Sequence, residues 1–340
     1  MSAATPRALG FRMPAEWEPH AATWIAWPHN RADWPGRFQP IPWVYAEIVR
    51  KLAAVERVCI LVPDVEAEQK ARRILRKVGA ALEAVQFFHC PTNRVWTRDY
   101  GPIFVRHASG EVAITDWDFN AWAKYDDWPL DNAVTSNLAS KLGQRLWPAG
   151  MVLEGGSIDV NGSGTLLTTE ECLLSPVQAR NPGLSPAEVE RLLGEYLGID
   201  RVVWLRRGIA GDDTHGHIDD LARFVDAETI VIASEDDPSD ANYEPLRENF
   251  DLLRKEPFRV VKLPMPHPLQ FNGVRLPASY ANFYIANRMV LVPTFNDPND
   301  RHALATLAGL FPDREVVGIH CVELVWGLGT LHCMTQQQPA

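Results

Sequence analysis

The same order of elements recurs four times along the chain, and this recurrence constrains the fold more than any other feature of the sequence. Each time, a helix-like segment and a strand-like run lead through a polar loop to one chemically distinctive residue, and another strand-like run follows. The four distinctive residues are Asp99, Glu154, His217 and Cys333. Alternating helices and strands predict an α/β protein. Repeated topology would place equivalent strand ends around one axis, so that residues distant in sequence meet at one mouth.

Apolar periodicity and capping signals define the elements in this pattern. Apolar spacing predicts helices over 43–55 and 66–78. The stretch Ser185-Pro186-Ala187-Glu188 combines an N-cap serine, a proline at the first helical position and a glutamate three residues after the cap, so a helix is expected from there to about Leu197, ending at Gly198. Further helices are expected near 133–142 and 302–310. Strands are predicted over 57–62, 85–89, 103–106, 202–205, 229–233, 260–263, 290–292 and 315–319, with a hairpin joining 158–160 to 165–167. No long linker interrupts these elements, so we expect one domain over residues 1–340.

Composition excludes several classes of function. The chain has 340 residues, 46% of them hydrophobic, and a net charge of -10, which argues against a nucleic-acid surface and suits a small cationic partner. The five cysteines are odd in number and show no Cys-x-x-Cys spacing, which is typical of a reduced set without disulfides or structural zinc. Residues 1–14 lack the apolar core of a secretory signal, and no apolar run approaches the ~20 residues needed to span a bilayer. A cytoplasmic location without membrane contact is therefore expected.

Cys333 and His217 are the candidate reactive groups. Cys333 follows a glycine-rich stretch and a histidine and precedes polar residues, surroundings that favour a reactive thiol over a core cysteine; a buried cysteine in a terminal strand is the alternative. A thiolate needs a nearby cation, and a bound guanidinium would supply one. His217 is a candidate general acid and base because imidazole titrates near neutral pH; a loop histidine satisfied by backbone is the alternative.

The candidate carboxylates are Asp99, Glu154 and Asp219. A guanidinium presents forked donors that match carboxylates in geometry and charge, so these groups together indicate attack on a cationic carbon centre. In a strand, Asp219 and His217 would point to the same face. The alternative for Asp99 is a salt bridge with Arg98 or with another surface arginine.

The segment His215-x-His217-x-Asp219 also has the spacing of metal ligands. In the common metallohydrolase pattern a further histidine follows the aspartate, whereas this chain has Asp220 there. With no second ligand cluster evident, we expect a site that works without metal.

Ordered motifs along nearly the whole chain carry a family resemblance. They are Met13-Pro14-Ala15-Glu16-Trp17-Glu18-Pro19-His20, Trp27-Pro28-His29, Trp96-Thr97-Arg98-Asp99-Tyr100-Gly101-Pro102, Glu154-Gly155-Gly156-Ser157, Asp212-Asp213-Thr214, Gly216-His217-Ile218-Asp219, Phe295-Asn296-Asp297-Pro298-Asn299-Asp300 and Cys333 with Gln336-Gln337-Gln338-Pro339. On these motifs the chain resembles the bacterial agmatine deiminases of the Porphyromonas-type arginine deiminase group, among the guanidine-modifying enzymes.

The resemblance implies a five-bladed αβ propeller, the pentein fold, with pseudo-fivefold symmetry. It implies a hydrolase that converts agmatine to N-carbamoylputrescine and ammonia through a covalent thiouronium, with no metal and no organic cofactor, as a homodimer. The implied roles are nucleophile for Cys333, acid and base for His217, guanidinium clamps for Asp99 and Asp219, and support of the histidine for Glu154. Trp96 and Trp122 are expected to contact the substrate.

Other functions are compatible with the same residues. They are deimination of free or peptidyl arginine, amidino transfer to an amine, a non-catalytic binding propeller and a metal-dependent ureohydrolase. The chain also departs from the family pattern. Leu328 and Thr330 stand where the family usually has Gly and Asn, Ala123 follows Trp122 where a Gly is frequent, and Asp220 replaces a frequent Asn.

Overall fold

A computed structural model describes residues 4–340, in which helices and strands alternate as an α/β structure. The strands are β1 (Phe11–Arg12), β2 (His20–Ala26), β3 (Arg57–Val62), β4 (Val85–His89), β5 (Ile103–His107), β6 (Val112–Asp118), β7 (Leu146–Val152), β8 (Asp159–Val160), β9 (Thr165–Thr169), β10 (Arg201–Leu205), β11 (Ala222–Phe224), β12 (Thr229–Ser234), β13 (Arg259–Pro264), β14 (Gln270–Phe271), β15 (Val274–Arg275), β16 (Tyr284–Ile285), β17 (Met289–Thr294), β18 (Glu315–His320) and β19 (Gln336–Pro339). The α-helices are α1 (Ile41–Leu52), α2 (Val65–Lys77), α3 (Thr97–Tyr100), α4 (Pro129–Asn132), α5 (Val134–Leu142), α6 (Glu170–Leu173), α7 (Pro186–Leu197), α8 (Tyr243–Leu253) and α9 (Asp300–Leu310).

Five sheets within residues 4–340 share one internal order. In each, a first strand pairs antiparallel with a second, a helix follows, and a third strand lies parallel to the second. Unit 1 is β19, β2, α1 and β3; unit 2 is β5, β6, α5 and β7; unit 3 is β8, β9, α7 and β10; unit 4 is β11, β12, α8 and β13; unit 5 is β16, β17, α9 and β18. The crossover helix is what a parallel third strand requires. The repeated order predicted from the sequence is thereby confirmed.

Local signals account for the most accurate element boundaries. The Ser185 side chain accepts a hydrogen bond from the Glu188 amide, the Glu188 carboxylate accepts one from the Ser185 amide, and Gly198 adopts φ 73° after the last turn. The capping box begins α7 and the left-handed glycine ends it, both where the sequence predicted. The helix predicted over 43–55 instead spans Ile41–Leu52, because Pro42 is accepted in a first helical turn.

The core buries aromatic side chains close to the polar centre. Trp24 and Trp34 are about 1% and 0% exposed, and the Trp34 ring lies 5.6 Å from that of Trp96. All five cysteines are buried free thiols. Cys59 lies in β3, whereas Cys321 follows the last residue of β18. Among the helices of residues 4–340, none combines the length and apolarity needed to cross a bilayer.

The connections between units place the distinctive residues. Asp99 lies between β4 and β5, Glu154 between β7 and β8, His217 between β10 and β11, and Cys333 between β18 and β19. Each of these connections follows the last parallel strand of one sheet and leads to the first strand of the next unit. Corresponding strand ends therefore present these residues to a common centre.

Candidate active site

The five residues predicted to act in the site meet in one buried centre. The Cys333 sulfur lies 3.7 Å from Oδ2 of Asp219. The Nδ1 atom of His217 lies 3.8 Å from Oδ1 of Asp99 and 3.9 Å from Oδ1 of Asp219, and its Nε2 atom lies 3.8 Å from Oε2 of Glu154. The three distances from the His217 ring exceed hydrogen-bond range, so the histidine interacts with its three carboxylates through charge.

A cavity of about 400 Å³ opens onto this centre. Its walls include Cys333, Asp99, Trp96, Trp122 and Leu328. The two tryptophans predicted to contact the substrate therefore both line the cavity. Trp96 lies in the connection from β4 to β5, and Trp122 lies in the connection from β6 to β7. A cavity of this size accommodates a small molecule.

Asp99 is held by one indole and one backbone amide. The Trp122 Nε1–H group donates to Oδ2 at 2.9 Å, and the Gly156 N–H group donates to Oδ1 at 3.2 Å. Burial raises the pKa of Asp99 to about 7; His217 acts against this rise, and the carboxylates of Asp219 and Glu154 add to it. Asp99 can therefore change its charge near neutral pH.

Asp219 has different surroundings. It lies in a short 3-10 helix, Ile218–Asp220, so the strand considered for this segment is wrong. Its Oδ2 atom lies 2.7 Å from Nδ1 of His332, while Oδ1 is buried without a partner. Burial would raise the pKa of Asp219, but His332 and then His217 outweigh it, and the pKa is lowered. Asp219 thus offers an ionised oxygen to a ligand.

His332 connects Asp219 to Glu16. Nε2 of His332 lies 2.7 Å from Oε2 of Glu16, which also accepts from Arg223 at 3.0 Å and from Arg98 at 3.4 Å. Burial alone would raise the pKa of Glu16, but Arg223 and His332 hold it well below its usual range. Arg98 therefore belongs to the Glu16 network, and the alternative of an Arg98–Asp99 salt bridge is wrong.

Arg180 holds Glu154 beside the histidine. Its Nε atom donates to Oε1 of Glu154 at 2.9 Å, and both side chains are fully buried. Burial would raise the pKa of Glu154, but Arg180 and then His217 bring it down to about 2. Burial would lower the pKa of His217, yet Asp99 and the other partners raise it well above its usual range. The centre therefore favours an imidazolium at position 217.

Backbone details bring the histidine and the carboxylates together. Asp212 accepts hydrogen bonds from the amides of Gly216 at 2.7 Å and His217 at 3.1 Å, which fixes the histidine loop. A Cβ on Gly156 would lie 2.6 Å from Nδ1 of His217 and 2.7 Å from Oδ1 of Asp99. A glycine at this position is therefore required by the close approach of the two side chains.

The surroundings of Cys333 favour its protonated thiol form in the free protein. Burial and the carboxylates of Asp219, Asp220 and Asp99 raise the pKa of Cys333 well above its usual range. The Nδ2 atom of Asn282 lies 3.1 Å from the sulfur. Because the carboxylates are what disfavour the thiolate after burial, a bound cation would lower the pKa again.

His215 does not join the centre. Its backbone has φ 64°, and its Nε2 atom lies 3.2 Å from the hydroxyl of Ser175, in a separate surface cleft. The His215-x-His217-x-Asp219 pattern is therefore not a ligand set. Glu154, Cys172 and His217 present ligand-type atoms within 4.8 Å of one another, but Arg180 already supplies a cation to Glu154.

Three departures from the family pattern have a structural account. Leu328 and Ala123, where the family has glycines, have φ 67° and 52°, in the region that glycine adopts at least cost. Trp122 itself has φ 58°, which aims its indole at Asp99. Thr330 donates its hydroxyl to Oδ1 of Asn282 at 2.7 Å, so it takes up a polar contact close to the thiol.

Sequence reasoning missed four residues that contact the centre: Glu16, Arg180, Asn282 and His332. Two of them left a signal, because Glu16 lies in the first resemblance motif and His332 adjoins Cys333. Arg180 lies in a loop after α6 with no motif around it. Asn282 precedes β16 and so ends the connection from unit 4 to unit 5, the place that the other distinctive residues occupy in their own connections.

A reactive thiol beside a histidine and ionised carboxylates is typical of enzymes that use covalent catalysis. The family model of the Porphyromonas-type peptidyl-arginine deiminases matches residues 12–339, and the chain belongs to this family. It is 37% identical to an agmatine deiminase of Pseudomonas savastanoi pv. phaseolicola, over 99% of this chain and 97% of the relative.

Solved structures agree with this assignment. An agmatine deiminase of Enterococcus faecalis has a TM-score of 0.93 at 33% identity and covers 100% of this chain and 98% of its own. A protein of Porphyromonas gingivalis described as a candidate arginine deiminase has a TM-score of 0.87 at 40% identity, over 97% of this chain and 98% of its own. The relatives thus share the fold over the whole length, and their names differ in the substrate.

Proposed function

We propose that this protein hydrolyses agmatine to N-carbamoylputrescine and ammonia. The observation that carries the proposal is the centre itself: the Cys333 sulfur, on the wall of the cavity, lies 3.7 Å from Oδ2 of Asp219. Oδ1 of Asp219 lies 3.9 Å from the His217 ring and has no hydrogen-bond partner within residues 4–340. A planar guanidinium matches this set in charge and in donor geometry. The similarity to agmatine deiminases along 99% of the chain supports the same reaction.

In the first half-reaction the guanidinium enters between Asp99 and Asp219. Its positive charge offsets the carboxylates that disfavour the thiolate, so Cys333 releases its proton to solvent as the substrate binds. The sulfur then attacks the central carbon, and the carbon–nitrogen π pair moves onto a nitrogen. The His217 imidazolium gives that nitrogen a proton, the carbon–nitrogen bond breaks, and ammonia leaves behind a thiouronium on Cys333.

In the second half-reaction the neutral His217 takes a proton from a water molecule. The hydroxide attacks the same carbon, the carbon–sulfur bond breaks, and its electron pair returns to Cys333 as thiolate. The added hydroxyl releases its proton to solvent as its oxygen becomes the carbonyl oxygen of the ureido product, which departs. Glu154 stabilises the His217 imidazolium before it donates its proton in the first half-reaction and when it forms again in the second. Covalent catalysis divides one difficult substitution into two easier ones, and the paired aspartates supply the orientation.

The cavity wall favours a substrate without a carboxylate. Arg94, a cation of this wall, donates to Asp33 at 2.8 Å and to Asp127 at 2.8 Å, so its guanidinium is already engaged. Asp213 adds a further carboxylate to the wall, and its partner Lys124 is likewise an engaged cation. The carboxylate of free arginine would therefore meet negative charge and an occupied cation, whereas the amine of agmatine would not.

A product assay on three substrates tests the proposal. We expect kcat/KM for agmatine to exceed that for free arginine, or for a peptide ending in arginine, by roughly a hundredfold or more, because an unpaired buried charge is strongly rejected. Mass spectrometry should find a ureido product with ammonia. A higher value for arginine would replace agmatine as substrate and leave the deiminase chemistry in place, while urea or a transferred amidine would contradict deimination itself.

Two further measurements test the mechanism. Cys333→Ser should lower turnover by more than about 10⁴-fold while the protein stays folded, since a hydroxyl is a much poorer nucleophile; near-normal turnover would contradict the covalent route. Exhaustive chelation should leave activity unchanged, and activity lost on chelation and restored by one divalent ion would favour a ureohydrolase.

The architecture around the site is proposed on the same basis. The shared order of units 1 to 5 supports a five-bladed αβ propeller, in which the connections between units form the mouth, and we propose that the chain is one catalytic domain. A homodimer in the cytoplasm stays a prediction from the sequence and the resemblance.

A further inference from the structure

Asn282 contacts the sulfur of Cys333 and is fully buried. In residues 4–340 the sulfur has two side-chain hydrogen bonds: it accepts one from Nδ2 of Asn282 at 3.1 Å, and as a thiol it donates one to Oδ2 of Asp219 at 3.7 Å. The second bond is lost when the thiol ionises, because a thiolate has no proton to give. The bond from Asn282 persists and gains strength, since its acceptor is then charged.

The orientation of the Asn282 amide is determined by its other contacts. Its Oδ1 atom accepts from the hydroxyl of Thr330 at 2.7 Å and from the amide of His332 at 2.9 Å. Its Nδ2 atom also donates to Oδ1 of Asp220 at 3.0 Å. A flipped amide would set its NH₂ group against a backbone N–H and its oxygen against a carboxylate, so the NH₂ group must face the sulfur.

The position of Asn282 in the fold is a second, independent observation. The connections that follow β4, β7, β10 and β18 each deliver at least one reacting or charged group of the centre just before the next strand begins. The connection from β13 delivers Asn282, two residues before β16. Units 1 to 5 therefore all contribute to the centre, and the contribution that precedes unit 5 is a neutral donor among carboxylates.

We propose that Asn282 is a catalytic residue whose side-chain N–H group stabilises the Cys333 thiolate, both when it attacks the guanidinium carbon and when it leaves the thiouronium. This rests on Cys333 being the nucleophile of the proposed function. The donor opposes the effect of Asp219, whose charge disfavours the same thiolate, and it is neutral, so it does not repel the cationic substrate. No proton moves to or from Asn282.

Alkylation of the free enzyme isolates this role from substrate binding. The rate of iodoacetamide reaction is measured against pH for the wild type, Asn282→Asp and Asn282→Ser, with the modified residue identified by peptide mass spectrometry. The aspartate keeps the acceptor and replaces the donor, and the serine is too short to reach the sulfur and adds no charge. Thr330→Val is the matched control, because it removes one bond to Oδ1 and leaves the donor to the sulfur in place.

We expect both Asn282 variants to be alkylated at Cys333 roughly ten- to a hundredfold more slowly at a given pH, with the pH profile displaced upwards, and kcat for agmatine to fall by a similar factor while KM changes little. Thr330→Val should stay within about threefold of wild type. A fall in kcat with an unchanged alkylation profile would overturn the proposal and leave Asn282 as an anchor of the Cys333 loop. Unchanged kcat in both folded variants would overturn it as well. Alkylation of the wild type elsewhere than at Cys333 would instead contradict the nucleophile of the proposed function.

Discussion

Asp99 and Asp219 are the same side chain in two unlike settings, although both face the reacting centre. Asp99 receives neutral donors, the indole of Trp122 and an amide, and its pKa rises to about 7 because burial dominates. Asp219 contacts His332, whose other ring nitrogen contacts the carboxylate of Glu16. The pKa of Asp219 is lowered. Neutral donors orient a buried carboxylate, whereas a paired cation also keeps it ionised.

Asp99 and Asp219 therefore have different proposed roles in holding the guanidinium. Asp219 is charged before the substrate arrives and lies close to both the thiol and His217, so under the proposed function it positions the guanidinium. Asp99 acquires its full charge above neutral pH or when the cationic substrate arrives. A site that holds fewer permanent negative charges in its resting state costs less folding stability, because each unpaired buried charge is expensive.

The largest expected effect comes from neutralising each aspartate in turn. Asp219→Asn should lower kcat/KM for agmatine by roughly 10³-fold and Asp99→Asn by roughly 10²-fold, since the first removes a permanent charge and the second a conditional one. Steady-state kinetics at one pH and ionic strength measure both. Asp213→Asn, on the cavity wall, is the control and should cost about tenfold at most. Mild effects at both sites would mean that the guanidinium is held elsewhere.

A smaller effect should follow from removing the charge behind Asp219. Glu16→Gln leaves His332 without its anionic partner, so we expect kcat/KM to fall by roughly 30-fold and the free energy of unfolding to fall by about 3 kcal/mol, because Arg98 and Arg223 also lose a buried counter-charge. Kinetics and denaturant unfolding measure the two changes. If Asp219 depends on this charge, the variant should also lose activity toward acid more steeply than the wild type, because Asp219 would be protonated in addition to Asp99. A loss of stability with unchanged kinetics would show that the network only supports the fold.

The pH dependence should follow Asp99. Its pKa of about 7 lies above the ordinary 3.8 for an aspartate, so lowering the pH through 7 protonates it and removes a counter-charge for the guanidinium. We expect kcat/KM to fall by about tenfold per pH unit below 7 in the wild type. In Asp99→Asn this part of the profile should flatten, since the titrating group is gone. An unchanged acid limb in that variant would assign the titration to another group.

The smallest effect is expected at the indole that orients Asp99. Trp122→Phe keeps the ring and removes the N–H donor at 2.9 Å, so kcat/KM should fall by roughly three- to tenfold. The pKa of Asp99 should rise further, because a donor to the ionised form is lost, and the acid limb should move to higher pH. A displacement toward lower pH would contradict this account of Asp99.

The sequence by itself determined the helix Pro186–Leu197, whose cap, first turn and stop are encoded within a few neighbouring residues. It also predicted the five groups that meet in the buried centre: Asp99, Glu154, His217 and Cys333 follow a repeated order of elements that periodicity makes visible, and Asp219 lies two residues after His217. The positions of those groups relative to one another followed from the α/β topology.

The tertiary structure decided what distinguishes groups that look alike in sequence. The contact between Glu16 and His332 joins residues 316 positions apart, and the Asn282 donor reaches a sulfur 51 positions away. No local pattern encodes such pairs, because they exist only once the units have packed. Burial then sets the pKa values: the same carboxyl group is ionised beside His332 and half-protonated near pH 7 beside Trp122, since desolvation and partner charge are properties of the folded environment and not of the residue.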